Sequence, residues 1–315
     1  MSLDDMPVSD SAQDLLTILP GKPEVLWREQ PEDEVARADA EARLWERTRN
    51  YRLAEEWTGK ARTPELPVPT TPVSLTDYNR AESLADSIRR SLDLGSYPAF
   101  SLVTALEENL GVKVLYDRDL PGSAVCLRDE DNAAIAINSS EVPWRRNYSI
   151  AHEFYHLVCW KAMPPERLKS DNERWAAAER MVEAFASALL PPSDVIRDRY
   201  LSRGNAEWQP VDLIDLAREF GVSTEALVWR LVSLRLFTRP RVRKLLEDKK
   251  FRALDRAFVR PRSEPEMLPP RFVRLLYLAY VKGKVSAGRV AEMTGQNLIE
   301  VRRPLAALER VMNHG

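Results

Sequence analysis

Two cysteines in 315 residues, Cys126 and Cys159, cannot build a disulfide framework. No apolar run approaches the roughly 18–20 residues that a membrane-spanning helix needs, so membrane insertion is not expected. The N-terminus is acidic and lacks the basic-then-apolar pattern of an export signal. Together with the scarcity of cysteine, this makes a reducing cytoplasm the expected compartment. Charge of one sign is not in excess either: 46 Lys and Arg stand against 48 Asp and Glu, a net −2, so partner classes must be read from charge distribution. A hydrophobic fraction of 44% and a charged fraction of 30% describe an ordinary globular protein. The length allows two or three domains.

Histidine is scarce too, with three in the chain. Two of them, His152 and His156, sit four residues apart with Glu153 between them, inside the apolar run Ser149–Trp160. On a helix, residues i and i+4 lie one above the other, so both imidazoles can reach one ion. Glu153 then points beside that face, where it can hydrogen-bond a water without ligating the metal. This is the H-E-x-x-H arrangement of zinc peptidases. The bland alternative is a pair of core histidines. Zn2+ suits two imidazoles and a carboxylate with one position open for water, and Glu153 is the candidate general base.

The third ligand must come from elsewhere. The next histidine after His156 is His314, near the C-terminus, where chain ends are seldom ordered. Residues 172–190 read as a helix carrying Glu179 and Glu183 on one face. One of these could ligate and the other could orient a histidine from behind. Cys159, three residues past His156, could be a ligand or a nucleophile, but its apolar neighbours favour a buried packing role.

Along the chain, residues 32–57 show an amphipathic helical pattern, with Val35, Ala38, Ala42, Trp45, Leu53 and Trp57 among charges. The proline-rich stretch 63–73 reads as an extended linker. Helices are expected from Thr76–Asp77 to about Leu94 and from Pro98 to Leu110. Three β-rich runs follow, Val112–Tyr116, Ser123–Leu127 and Ala133–Asn138, separated by turn residues and suited to a small antiparallel sheet. The metal-motif helix is expected to start near Trp144–Tyr148.

The remainder reads as helical. Residues 212–231 place Ala217, Gly221 and Ser223 as a helix-turn-helix would, and residues 284–303 repeat this more loosely with Ala291 and Gly295. Both could equally be plain packing motifs. Between Arg230 and Arg262 a basic tract runs through Arg239, Arg243, Lys249 and Arg256. Such a tract is either a phosphate-binding face or a solvated helical face.

These residues resemble the ImmA/IrrE metallo-endopeptidases over roughly Gly111 to Pro192. The likeness rests on Ile135–Asn138, Pro143, Arg145, Arg146 and Tyr148, then on Ser149–His156, then on Glu179–Pro192. The resemblance assigns the glutamate ligand to Glu179. Where the family has alanine and asparagine, this chain has Val182 and Glu183, leaving Glu183 as an alternative or supporting ligand. The implied fold is α+β: a small gluzincin-like zincin domain with a short antiparallel sheet, flanked by a helical N-terminal segment and a helical C-terminal domain with helix-turn-helix-like units. The expected divisions are 1–75, 76–195 and 196–315.

The implied activity is zinc-dependent cleavage of a specific protein partner, typically a helix-turn-helix transcriptional repressor. Some members carry such a repressor domain at the N-terminus. Residues 1–62 show no matching Ala-x-x-x-Gly turn, so the repressor is expected to be a separate polypeptide, and Ile18–Arg28 looks like the sequence between those domains in fused members. The alternatives are a DNA- or protein-binding regulator with a structural or vestigial zinc site, and a module that holds its partner uncut. DNA is a possible partner but not the favoured one.

Overall fold

The first helix forms where its ends are specified. Asp33 accepts hydrogen bonds from the backbone N–H groups of Val35 and Ala36 and so caps α1 (Glu34–Thr58), while Gly59, at φ 72°, ends it in the left-handed region. The same logic starts α2 (Tyr78–Ser91) at Asp77 and α5 (Asn172–Leu189) at Asp171. Pro98 and Pro143 lie in the first turns of α3 (Pro98–Glu108) and α4 (Pro143–Cys159), where a missing N–H costs nothing.

The computed structural model describes residues 24–69, 75–164, 171–204, 207–258 and 268–313. The stretch before Glu24, residues 70–73 of the proline-rich segment, Arg260, Arg262 and His314 lie outside them. The remaining described helices are α6 (Ser193–Ser202), α7 (Pro210–Glu219), α8 (Thr224–Ser233), α9 (Arg239–Glu247), α10 (Lys249–Ala257), α11 (Pro270–Val281), α12 (Ala287–Thr294) and α13 (Leu298–Asn313). The fold is α+β and mostly helical, and no described helix is long and apolar enough to cross a membrane.

The sheet departs from expectation in two ways. It has four strands, because β1 (Glu24–Trp27), in a region read as helical, adds to one edge. It is also mixed rather than antiparallel, in the order β1-β3-β4-β2. Strand β4 (Ala133–Asn138) pairs antiparallel with β3 (Ala124–Arg128) but parallel with β2 (Lys113–Asp117). Three short consecutive runs read as a meander. The central place instead goes to β4, whose first five residues are all buried. The chain passes from β2 across the end of β4 before β3 begins. Asn138 secures that crossing, its side-chain amide donating to the carbonyls of Leu120 and Gly122 at 3.1 and 3.2 Å.

Alternation along the strands divides the core. Val114, Cys126, Ile135 and Ile137 face one cluster, with α2–α5 and α7–α8. Leu115, Val125, Leu127 and Ala134 face a second, with Ala40, Leu44 and Tyr51 of α1 and Phe272, Leu276, Val301 and Leu305 from α11–α13. With both faces covered, the strands read as unbroken apolar runs. Each large aliphatic side chain buried there contributes about 1.5–3 kcal/mol.

Charge is buried in the second layer. Glu55 is fully buried, accepts a hydrogen bond from Arg271 at 2.6 Å and lies 3.4 Å from the Lys113 ammonium. Beside it the Tyr51 hydroxyl donates to Glu107 at 2.9 Å, and the Tyr51 ring stacks on Phe272. This seam joins α1, α3, β2 and α11. Removing one partner of such a pair costs about 3–5 kcal/mol, because the other charge is stranded.

Burial also pushes the Glu107 carboxyl up to about 7, against its bonds to Tyr51 and to the backbone N–H of Val114. Between its ordinary value of 4.5 and about 7 the folded state keeps a proton that the unfolded chain releases. Stability contributed by this group therefore falls as pH rises through that window, by up to about 3 kcal/mol. Urea titrations across pH 5 to 8 should show this fall in the wild type and a flatter profile in Glu107→Gln. An unchanged slope in the variant would remove Glu107 as its source.

Candidate metal centre

Helix α4 lies on β3 and β4, with every residue from Ser149 to Cys159 buried. Arg28, Arg128 and Glu24, in or beside the strands, hold it in place. Arg28, just past β1, donates to the Ser149 hydroxyl at 2.8 Å, and Arg128 donates to the Leu157 carbonyl at 2.8 Å. The Trp160 indole donates to Glu24 at 2.5 Å. On another side, Asn147 donates to the Gly221 carbonyl at 2.9 Å in the turn between α7 and α8. Glycine is required in that turn. Its φ is 62°, and a Cβ there would sit 2.8 Å from the Asn147 amide and 2.9 Å from the Ala99 Cβ.

Helix α5 packs along α4 and presents Glu179 to the two histidines. The His152 and His156 Nε2 atoms are 3.3 Å apart, and each is 3.3 Å from a Glu179 carboxylate oxygen. Both imidazoles are almost fully buried, at 2% and 4% exposure, while the Glu179 side chain is partly open. Burial opposes the charge of Glu179, but hydrogen bonds to both imidazoles hold its carboxyl at about 2.

A tetrahedral ion with bonds of about 2.0–2.1 Å sets its donors about 3.3–3.4 Å apart. The His152–His156 separation matches one edge of that figure, and each imidazole lies the same 3.3 Å from a different oxygen of the Glu179 carboxylate. The surroundings also leave polar atoms unpaired: His152 Nδ1 and both oxygens of the fully buried Glu153 have no hydrogen-bond partner. A buried carboxylate without a partner is costly unless a cation or water meets it. The donor set therefore fits a cation, with Glu153 beside it.

Glu183 is exposed and stands outside the cluster of His152, His156 and Glu179. Its charge is felt at Tyr148, whose hydroxyl is pushed up by burial and then by Glu183, with Arg28 opposing. The hydroxyl is thus a proton donor at neutral pH. Cys159 is buried, and burial pushes its thiol up to about 12. It is protonated at neutral pH and lies outside the cluster.

Two neighbours of the site were not read from the sequence. Trp175 lies parallel to the His156 ring at 6.1 Å, one turn before Glu179. Its i−4 spacing from Glu179 was the available signal. Arg28 stands over the Tyr148 ring at 5.2 Å. With 120 positions between them, no periodicity could have joined those two.

The geometry separates the two glutamates. In metal analysis of purified protein, Glu179→Ala should lose the ion, as should His152→Ala. Glu183→Ala should keep it with at most about tenfold weaker binding. Loss in Glu183→Ala with retention in Glu179→Ala would reverse their roles.

Among comparisons with known proteins, the family model described as the IrrE N-terminal-like domain, a peptidase family, matches residues 107–232. The match spans β2 to α8 and includes all four residues of the site. No curated protein matches the chain.

Proposed function

This chain is a member of the ImmA/IrrE family through its residues 107–232, and from that premise we propose that it is a zinc-dependent endopeptidase cleaving a specific protein partner. The observation that carries this reading is the pair of imidazole nitrogens 3.3 Å apart, each 3.3 Å from an oxygen of the Glu179 carboxylate, beside a fully buried, unpaired carboxylate. His152, His156 and Glu179 would hold the zinc. When bound, it supplies Lewis-acid polarisation of a peptide carbonyl and acidifies a water.

The chain's own groups do the rest. Glu153, unhindered by competing hydrogen bonds, takes a proton from the attacking water and returns it to the leaving amine nitrogen. Tyr148, whose ring centroid lies 6.4 Å from that of His152, and Arg28, over the Tyr148 ring, would meet negative charge on the carbonyl oxygen. The burial of both imidazoles and of Glu153 lowers the local dielectric, which strengthens each of these interactions. The partner proposed is a helix-turn-helix transcriptional repressor, whose cleavage would switch on transcription. Support for that finer step comes from the family resemblance.

The test compares wild type and Glu153→Gln in cells by N-terminal proteomics, together with zinc content. The glutamine fills the same space but cannot take the proton, so zinc should be kept and new N-termini lost, with activity down about 10²–10⁴-fold. Equal cleavage in the two, at equal zinc, would leave a metal-binding regulator as the surviving reading. Tyr148→Phe should keep the zinc and slow turnover by about 10-fold or more, and an unchanged rate would release Tyr148 from this role.

A further inference from the structure

Two helix pairs in the C-terminal half share a tight turn with a left-handed glycine, Gly221 between α7 and α8 and Gly295 between α12 and α13. Their second helices have opposite fates. In α8 the first residue, Thr224, is buried and bonded to Asp255 at 2.6 Å, and Leu227, Val228 and Leu231 are core. Arg230 is 3% exposed and paired with Glu82 at 2.5 Å. Most of that helix is committed to the core, with Glu225 and Ser233 its exposed side chains.

The α12–α13 pair is built differently. Ser286 caps α12 by accepting from the Arg289 N–H, and the N–H of Gln296 returns to the Ala291 carbonyl at the turn. A reciprocal cap starts α13: Glu300 N–H donates to Asn297, and Asn297 N–H donates to Glu300. Val301 and Leu305 point into the core at 0% and 1% exposure, packed with α11 and α12. The opposite face of the same two turns carries Ile299, Arg302 and Arg303, spaced i, i+3 and i+4. Ile299 is 83% exposed, and both arginines are exposed with no ion pair among the described residues.

Charge identifies the occupant. Of the seven basic side chains in residues 270–306, Arg271 is buried against Glu55, Arg274 pairs with Glu108, Arg289 pairs with Glu292 and Lys282 donates to the Thr58 carbonyl, which leaves Lys284, Arg302 and Arg303 beside the two acidic residues Glu292 and Glu300. Glu300 is tied into the cap and Glu292 pairs with Arg289. The presented surface is thus an exposed aliphatic side chain beside two arginines, with Lys284 exposed on the approach to α12. That chemistry suits the major groove of duplex DNA. Arginine reads guanine edges, an aliphatic side chain meets the thymine methyl, and lysine meets phosphate. We propose that the α12–turn–α13 unit is a DNA-reading element, with Ile299, Arg302 and Arg303 entering the groove. An acidic protein surface is the competing partner class, and the test tells the two apart.

The inference does not depend on the peptidase reading. The full chain is titrated with a labelled library of short duplexes with randomised centres, at about 150 mM salt, and bound duplexes are sequenced. A defined set of sequences should be enriched. Binding of that set should fall at least about tenfold in Arg302→Ala/Arg303→Ala. Glu153→Gln should bind as wild type. Zinc content and circular dichroism of the arginine variant should be unchanged, since both residues are exposed. Three results would overturn the proposal: no enrichment over random sequence, as expected if the face meets an acidic protein; full binding in the arginine variant; or loss of binding only in Lys249→Glu/Lys250→Glu, which would move the contact to α10.

Discussion

Helix α4 has to hold two imidazoles and a carboxylate inside an apolar layer, and the rest of the molecule is arranged around that constraint. An unpaired buried polar group costs about 1–3 kcal/mol, and His152 and Glu153 together leave three such atoms. A helix free to rotate by a fraction of a turn would relieve that cost by exposing them. The structure removes that freedom. The sheet lies beneath, α5 lies alongside, Arg28 and Arg128 bond to its Ser149 hydroxyl and Leu157 carbonyl, and the α7–α8 turn meets Asn147. Strain of this kind, over-determined by packing, is where functional sites are commonly found.

The second core layer serves the first from a distance. Strand β1 is tied to α1 through the Trp27 indole, which donates to Glu41 at 2.8 Å, and α1 is tied to α11 through Glu55 and Arg271. The strand that supplies Arg28 and Glu24 to α4 therefore depends on packing from both ends of the described chain. This buried ion network is not a cheap source of stability, since desolvation offsets most of the attraction. What it does supply is register, because Glu55 finds two cationic partners in only one arrangement of α1 against β2 and α11.

Much of this was legible. The i, i+4 histidines, the start at Thr76–Asp77 and the amphipathic pattern over 32–57 are local signals, and the helices they predict are present. What was hidden is non-local. Nothing in three consecutive apolar runs says that the third will take the middle of the sheet, since that depends on the Asn138 bonds across the crossover. A four-residue edge strand at Glu24 has too few positions for its alternation to register, and its pairing with β3 brings together residues about a hundred positions apart. The site divides the same way. The motif announced His152, Glu153 and His156, and spacing narrowed the third donor to Glu179 or Glu183. Only the packing of α5 on α4 sets Glu179 against the imidazoles and leaves Glu183 exposed.

The two glycine turns show why a pattern of small residues underdetermines function. Ala217 and Gly221 specify a turn as well as Ala291 and Gly295 do, and both turns form. The difference lies in the amphipathic balance of the following helix. In α8 the apolar positions run nearly all round, so the helix sinks into the layer that supports α5 and its turn becomes a wedge against α4. In the first turns of α13 the apolar positions are confined to one stripe at Val301 and Leu305, and the remaining face stays outside. The first turn thus belongs to the layer that holds the His152–His156–Glu179 cluster, while the second sits across the sheet from it, in the other core. A surface on that far side can be occupied without touching α4 or α5.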